Sequence, residues 1–314
     1  MSDMNTLKDA PESGGLKHAP FKVEADEMAL KVRFPFFKIY ALGQHVPQGV
    51  RSVFRSILYR LVFHRVEKKN ILLITIPKSG THFFTIFMAN YINILSGEDA
   101  GPLDIEDVFK RFVMNRRDRI LRKFVAAEPH PFFKKTRYHD LTPSHGTRFI
   151  RMCPGRIVFL YRNPLDQLVS WFYFRYKWET QNNTLSREII DSALDHYIGQ
   201  FNLMMGLRGK RHILPVAYES LMMAPLNTLM TVLAWLDFPI DVTAMDRALA
   251  YSDKRQVKKY EENVGILNQS GRESPLIRSG KIGQWKEHFS EADLAHIRGR
   301  LQDAGIDLGQ FIFE

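Results

Sequence analysis

The sequence predicts an α/β fold: a single domain with a central parallel β-sheet flanked by helices and a P-loop-like phosphate-binding loop. Three apolar runs predict it. Residues 71–74, 156–161 and 212–217 have the length and residue types of buried strands. Each is followed by turn-forming or polar residues and then by a helical pattern. Strands alternating with helices build a parallel sheet, and such sheets bind ligands beyond the carboxyl ends of their strands.

Residues 1–30 read as a mobile tail, with Pro11, Gly14, Gly15 and Pro20. They are polar and mixed in charge, without the pattern of a secretory leader, so a cytoplasmic location is expected. Residues 31–69 form a basic amphipathic extension. Val50, Val53, Phe54, Ile57, Leu58, Leu61 and Val62 recur there at helical spacing, among Arg51, Arg55, Arg60, Arg65, Lys68 and Lys69. A helix of this pattern packs on its own core. The sharper alternative is an interfacial helix on an anionic membrane surface, which would make the protein peripheral. A second basic and aromatic segment spans residues 108–125. The domain proper is expected over residues 70–314.

The first strand runs into Thr75-Ile76-Pro77-Lys78-Ser79-Gly80-Thr81-His82-Phe83. Backbone N–H groups at a helix start attract anions, and Gly80 lets a phosphate approach the chain. Lys78 adds a point charge, while Ser79 and Thr81 add hydroxyl donors. This is not a Walker A loop, in which two glycines frame the site ahead of the lysine. The second strand runs into Arg162-Asn163-Pro164-Leu165-Asp166. Asn163 suits a helix cap and Pro164 a first turn. Arg162 at the strand end and Ser170 two turns into the helix can hold a second phosphate. Residues 277–286 combine Arg278, Ser279, Gly280, Lys281, Gly283 and Trp285. Such a flexible basic segment can fold over an anion.

Composition narrows the function. A chain of 314 residues, 45% hydrophobic and 25% charged, is long enough for one large soluble domain. Its one cysteine, Cys153, excludes an internal disulfide. A net charge of +10 calls for anionic partners. Nucleic acid is not expected, because no nucleic-acid-binding motif accompanies the charge. No convincing metal-ligand cluster is present.

The three motifs, in this order over roughly residues 70–290, resemble the sulfotransferases that use 3′-phosphoadenosine-5′-phosphosulfate (PAPS). That family carries a PKSGTTW loop, an RNP.D...S segment and a late RKG..G.WK..F segment. Here His82 stands at a hydroxyl position, Phe83 replaces tryptophan and Ser279 replaces lysine. The resemblance implies sulfuryl transfer from PAPS to a hydroxyl or amine, with no metal required. It implies that Lys78 stabilises the leaving phosphate and that Ser79, Gly80 and Thr81 hold the 5′-phosphate. Arg162, Ser170, Arg278, Ser279 and Gly280 would lie against the 3′-phosphate. Tyr218 and Phe83 would flank the adenine, His82 would contact donor or acceptor, and Ser252 is a further nucleotide candidate. His139, in Thr136-Arg137-Tyr138-His139, resembles the family's K.H pattern and is the chosen general base, with His145 and His130 as rivals. The segment 108–125 would help wall a pocket for a small-molecule or lipid-like acceptor. A dimer motif seen in some members has decayed after Lys286, so no particular oligomer is implied. The alternatives are a P-loop-type kinase or NTPase, and a non-catalytic basic protein that binds membranes or nucleotides.

Overall fold

The computed structural model describes residues 70–105, 107–108, 112, 140–144, 150, 155–175, 185–253, 255, 258 and 280–311. Among the described residues four strands form the sheet: β1 (Asn70–Thr75), β2 (Asp140–Ser144), β3 (Ile157–Tyr161) and β4 (Ile213–Ala217). Their spatial order is β2-β1-β3-β4, and every neighbouring pair is parallel. The two outer strands of these four each contain a proline, Pro143 in β2 and Pro215 in β4.

Each strand alternates its side chains between two apolar layers, because successive residues point to opposite faces. Ile71, Leu73, Val158, Leu160 and Val216 enter one layer. Leu72, Ile74, Ile157, Phe159 and Ile213 enter the other. Helix α1 (Thr81–Leu95) covers the first face. Helices α2 (Pro164–Arg175) and α3 (Arg187–Leu207) cover the second. After β4 come α4 (Tyr218–Met223), α5 (Pro225–Leu236) and α6 (Val242–Tyr251). A 3₁₀ turn at Gln284–Glu287 precedes α7 (Glu291–Asp303) and a last 3₁₀ turn, Leu308–Phe311. The result is a single α/β domain whose strands all end on one edge.

Local chemistry sets the helix boundaries. The Ser186 hydroxyl accepts the Ile189 N–H at the start of α3, and Ser290 and Asp293 form a reciprocal capping box at α7. Asn163 caps α2 as expected, its Oδ1 accepting the Leu165 N–H at 2.9 Å. The stretch from Tyr218 to Leu236 is two helices, α4 and α5, broken at Ala224 (φ −136°, ψ 62°). Pro225 forces this, since a proline disfavours helical geometry in the residue before it.

The extension 31–69 lies outside the described residues. So does most of 108–125, apart from Val108 and Phe112, which are buried in the first apolar layer. Those two residues turn their apolar surface inward. No helix among the described residues is long and apolar enough to cross a membrane.

Candidate active site

The carboxyl ends of β1, β3 and β4 deliver the phosphate loop, Arg162 and Tyr218 to one edge of the sheet. Within the loop, Lys78 has φ 70° and Gly80 has φ 90°. A Cβ on Gly80 would lie 2.8 Å from Cδ2 of Tyr218, so glycine is needed for both conformation and space. The Thr81 hydroxyl donates to the Thr75 hydroxyl at 2.9 Å, closing the base of the loop. Gln167 Nε2 donates to the Pro77 carbonyl at 2.9 Å, and Gln200 Nε2 to the Thr75 carbonyl at 3.1 Å. The loop is thus held from α2 and α3. Ser79 is fully buried and its Oγ has no hydrogen-bond partner among the described residues. A buried hydroxyl without a partner is costly unless a ligand completes it.

Arg162 is buried, 3% exposed. One guanidinium nitrogen donates to the Lys281 carbonyl at 2.8 Å and the other to the Lys78 carbonyl at 3.4 Å. Its Nε has no partner. The guanidinium lies 4.3 Å from the centroid of the Tyr218 ring, and the Tyr218 hydroxyl donates to the Gly280 carbonyl at 3.0 Å. The Tyr197 hydroxyl fixes the Arg162 carbonyl at 2.7 Å. Arg162 therefore joins the phosphate loop to the late glycine segment.

That segment is anchored by a carboxylate. Fully buried Asp166 accepts the Gly283 N–H at 2.7 Å and the Trp285 N–H at 3.2 Å. Gly280 and Gly283 have φ 66° and 79°. Beneath Arg162, Glu219 is also fully buried. Its Oε1 accepts the Asn163 N–H at 2.9 Å, while Oε2 has no partner. Burial pushes the Glu219 carboxyl above its ordinary range, partly offset by the amide hydrogen bonds and by Arg162. Burial likewise raises the Tyr218 phenol, against a smaller lowering by Arg162.

The structure brings together Lys78, Ser79, Gly80, Thr81, Arg162, Tyr218 and Gly280. Ser170 sits half-buried on α2, and His82 half-buried in the first turn of α1. Phe83 packs against the first apolar layer. The Ser252 hydroxyl donates to the Ala248 carbonyl at 2.7 Å, closing the end of α6. Arg278, Ser279, His139, His145 and His130 lie outside the described residues. Asp140, the chain neighbour of His139, pairs with Asn70 at the amino end of the sheet; Ser144, the neighbour of His145, pairs with Ile74 at the carboxyl end. Sequence reasoning missed the roles of Asp166, Gln167, Tyr197, Gln200 and Glu219. Only the Pro164-Leu165-Asp166 helix start and the Tyr218-Glu219 pair hinted at them. Among the described residues, no group of three or more His, Cys, Asp or Glu is placed to hold a metal ion.

A family model described as the sulfotransferase domain matches residues 68–304, well over half of the chain. The chain belongs to the sulfotransferase family. It is similar to sulfotransferase 2A1 of Rattus norvegicus, at 22% identity, with 79% of this chain and 89% of the relative covered. It is also similar to cytosolic sulfotransferase 1 of Arabidopsis thaliana, at 23% identity, with 71% and 75% covered. The fold matches that of retinol dehydratase in complex with androsterone and inactive cofactor PAP, with a TM-score of 0.56 and 14% identity. That match covers 78% of this chain and 83% of the other. The fold of this sulfotransferase is thus the P-loop-like α/β domain of the family.

Proposed function

We propose that this sulfotransferase moves a sulfuryl group from PAPS to the hydroxyl or amine of a small, largely apolar acceptor. One observation carries the reading: Ser79 Oγ, in the phosphate loop, and Arg162 Nε, between that loop and the glycine segment, are buried donors without hydrogen-bond partners among the described residues. Donors so placed fit a ligand with two separate anionic groups. Ser79, Gly80 and Thr81 would hold the 5′-phosphosulfate. Arg162 and Ser170, with Arg278, Ser279 and Gly280, would hold the 3′-phosphate, and Tyr218 the adenine side. The donor supplies the sulfuryl group, which leaves its phosphate oxygen as the acceptor oxygen bonds to sulfur. Lys78 meets the charge that builds on the leaving oxygen, where fixed positive charge is most effective. The loop and the glycine segment hold the reacting groups in line.

A histidine takes the acceptor proton. The sequence pattern favours His139 as that base, with His145 and His130 as the rivals. The acceptor class draws on the androsterone and retinol named with retinol dehydratase. Two tests apply. Calorimetry with PAP (the desulfated donor), without divalent metal, should show binding that weakens about ten- to hundredfold when the 3′-phosphate is removed. Preference for ATP with magnesium would move the chain to the kinase or NTPase class. His139→Ala should abolish transfer and leave PAP affinity intact, whereas unchanged turnover in that variant would move the base to His145 or His130.

A further inference from the structure

We infer that Phe174, backed by Trp171, is a positioning residue that holds the ammonium of Lys78 beside the site; this deepens the sulfuryl-transfer reading and rests on it. The Lys78 Nζ lies 4.5 Å from the centroid of the Phe174 ring, within cation–π range. Phe174 is 37% exposed, so its ring lies at the surface of α2. Its neighbours orient the ring. Trp171, one turn earlier on α2, lies 6.0 Å from it at 35° between planes. Trp171 in turn stacks on His196 of α3 at 6.5 Å and 9°, and packs against the second apolar layer. A row of rings therefore runs from α3 through α2 to the phosphate loop.

The other end of Lys78 is held as well. Its carbonyl accepts from Arg162 at 3.4 Å, and its backbone is left-handed, with φ 70°. A lysine's four-carbon stem can spread over many rotamers, and an aromatic ring beside the ammonium narrows them. An aromatic face restricts the ammonium without neutralising it. A carboxylate in the same place would hold the ammonium more tightly, but it would cancel the charge and repel the phosphosulfate. The ring suits a lysine whose positive charge must meet the leaving oxygen.

Lysine-directed NMR tests this without any turnover. The protein is reductively methylated with a carbon-13 label, and the Lys78 signal is assigned by its loss in Lys78→Ala. In the wild type without nucleotide, ring current should move that signal upfield of the other lysines. Phe174→Leu should return it to the main group, and Phe174→Tyr should restore the shift. With saturating acceptor, Phe174→Leu should lower kcat about two- to fivefold, the range of an exposed cation–π contact, with donor KM unchanged. Phe174→Tyr should recover it. An unshifted Lys78 signal in the wild type would overturn the inference, as would unchanged kcat in Phe174→Leu or a matching loss of PAP affinity. A shifted signal in a protein that transfers no sulfuryl group to any acceptor would support the contact and overturn the reaction.

Discussion

In the proposed mechanism Lys78 meets the negative charge that develops on the leaving oxygen, so its removal should act on the transition state more than on binding. Lys78→Ala is expected to lower kcat far more than it weakens PAP affinity. Equal losses would make it a binding residue. Gly80→Ala should destabilise the protein by about 1–2 kcal/mol through its left-handed backbone alone. The added contact with Tyr218 should push the Tyr218 ring aside and weaken PAP binding further. A variant with wild-type melting temperature and PAP affinity would show that the loop has another conformation. Glu219 should leave a mark on the pH dependence of stability. Its raised carboxyl binds a proton more tightly in the native state than in the unfolded chain. Stability from this group is therefore full below the ordinary carboxylate pKa of about 4.3, and falls as pH rises through the raised native value. Urea midpoints of Glu219→Gln should lack that fall; a slope equal to the wild type would place the titration elsewhere. Ser79, Gly80 and Arg162 could be read from sequence because their residue types and spacing suit phosphate. Glu219 and Phe174 could not. Their roles arise from burial and from ring contacts made between separate elements.

At the level of elements, the site depends on a segment far from it in sequence. Asp166, in the first turn of α2, holds the Gly283 and Trp285 amides. Arg162 and Tyr218 hold the Lys281 and Gly280 carbonyls. Asp166→Ala leaves two amide donors without their carboxylate, at a cost of about 1.5–3 kcal/mol. Proteolysis between residues 280 and 290 should quicken, and PAP affinity should fall at least tenfold. Faster cleavage with unchanged affinity would mean that the segment does not close on the nucleotide. Strands β1, β3 and β4 were legible, since they fall within a residue or so of the apolar runs, whereas β2, which contains Pro143, was not. The α4–α5 break was less legible, because the apolar pattern continues across Ala224 and only Pro225 interrupts it.

Across the whole molecule, the parallel sheet brings chain segments from residues 75, 162 and 218 to a single edge. The net charge of +10 fits a protein whose substrate carries several negative charges. The sheet's two apolar faces hold that edge rigid, while α2 and α3 brace the loop with Gln167 and Gln200. Fold class and reaction class were legible because motif order and strand–helix alternation are properties of the whole chain. The acceptor was not, because its pocket is built from side chains whose mutual placement no local pattern specifies. The central claim is tested most directly by incubating the protein with sulfur-35-labelled PAPS and a panel of apolar alcohols and phenols, without divalent metal. We expect label to pass to at least one acceptor, with PAP released in equal amount and both signals lost in Lys78→Ala. Phosphate transfer from ATP with magnesium, and no labelled product from any acceptor, would contradict the account.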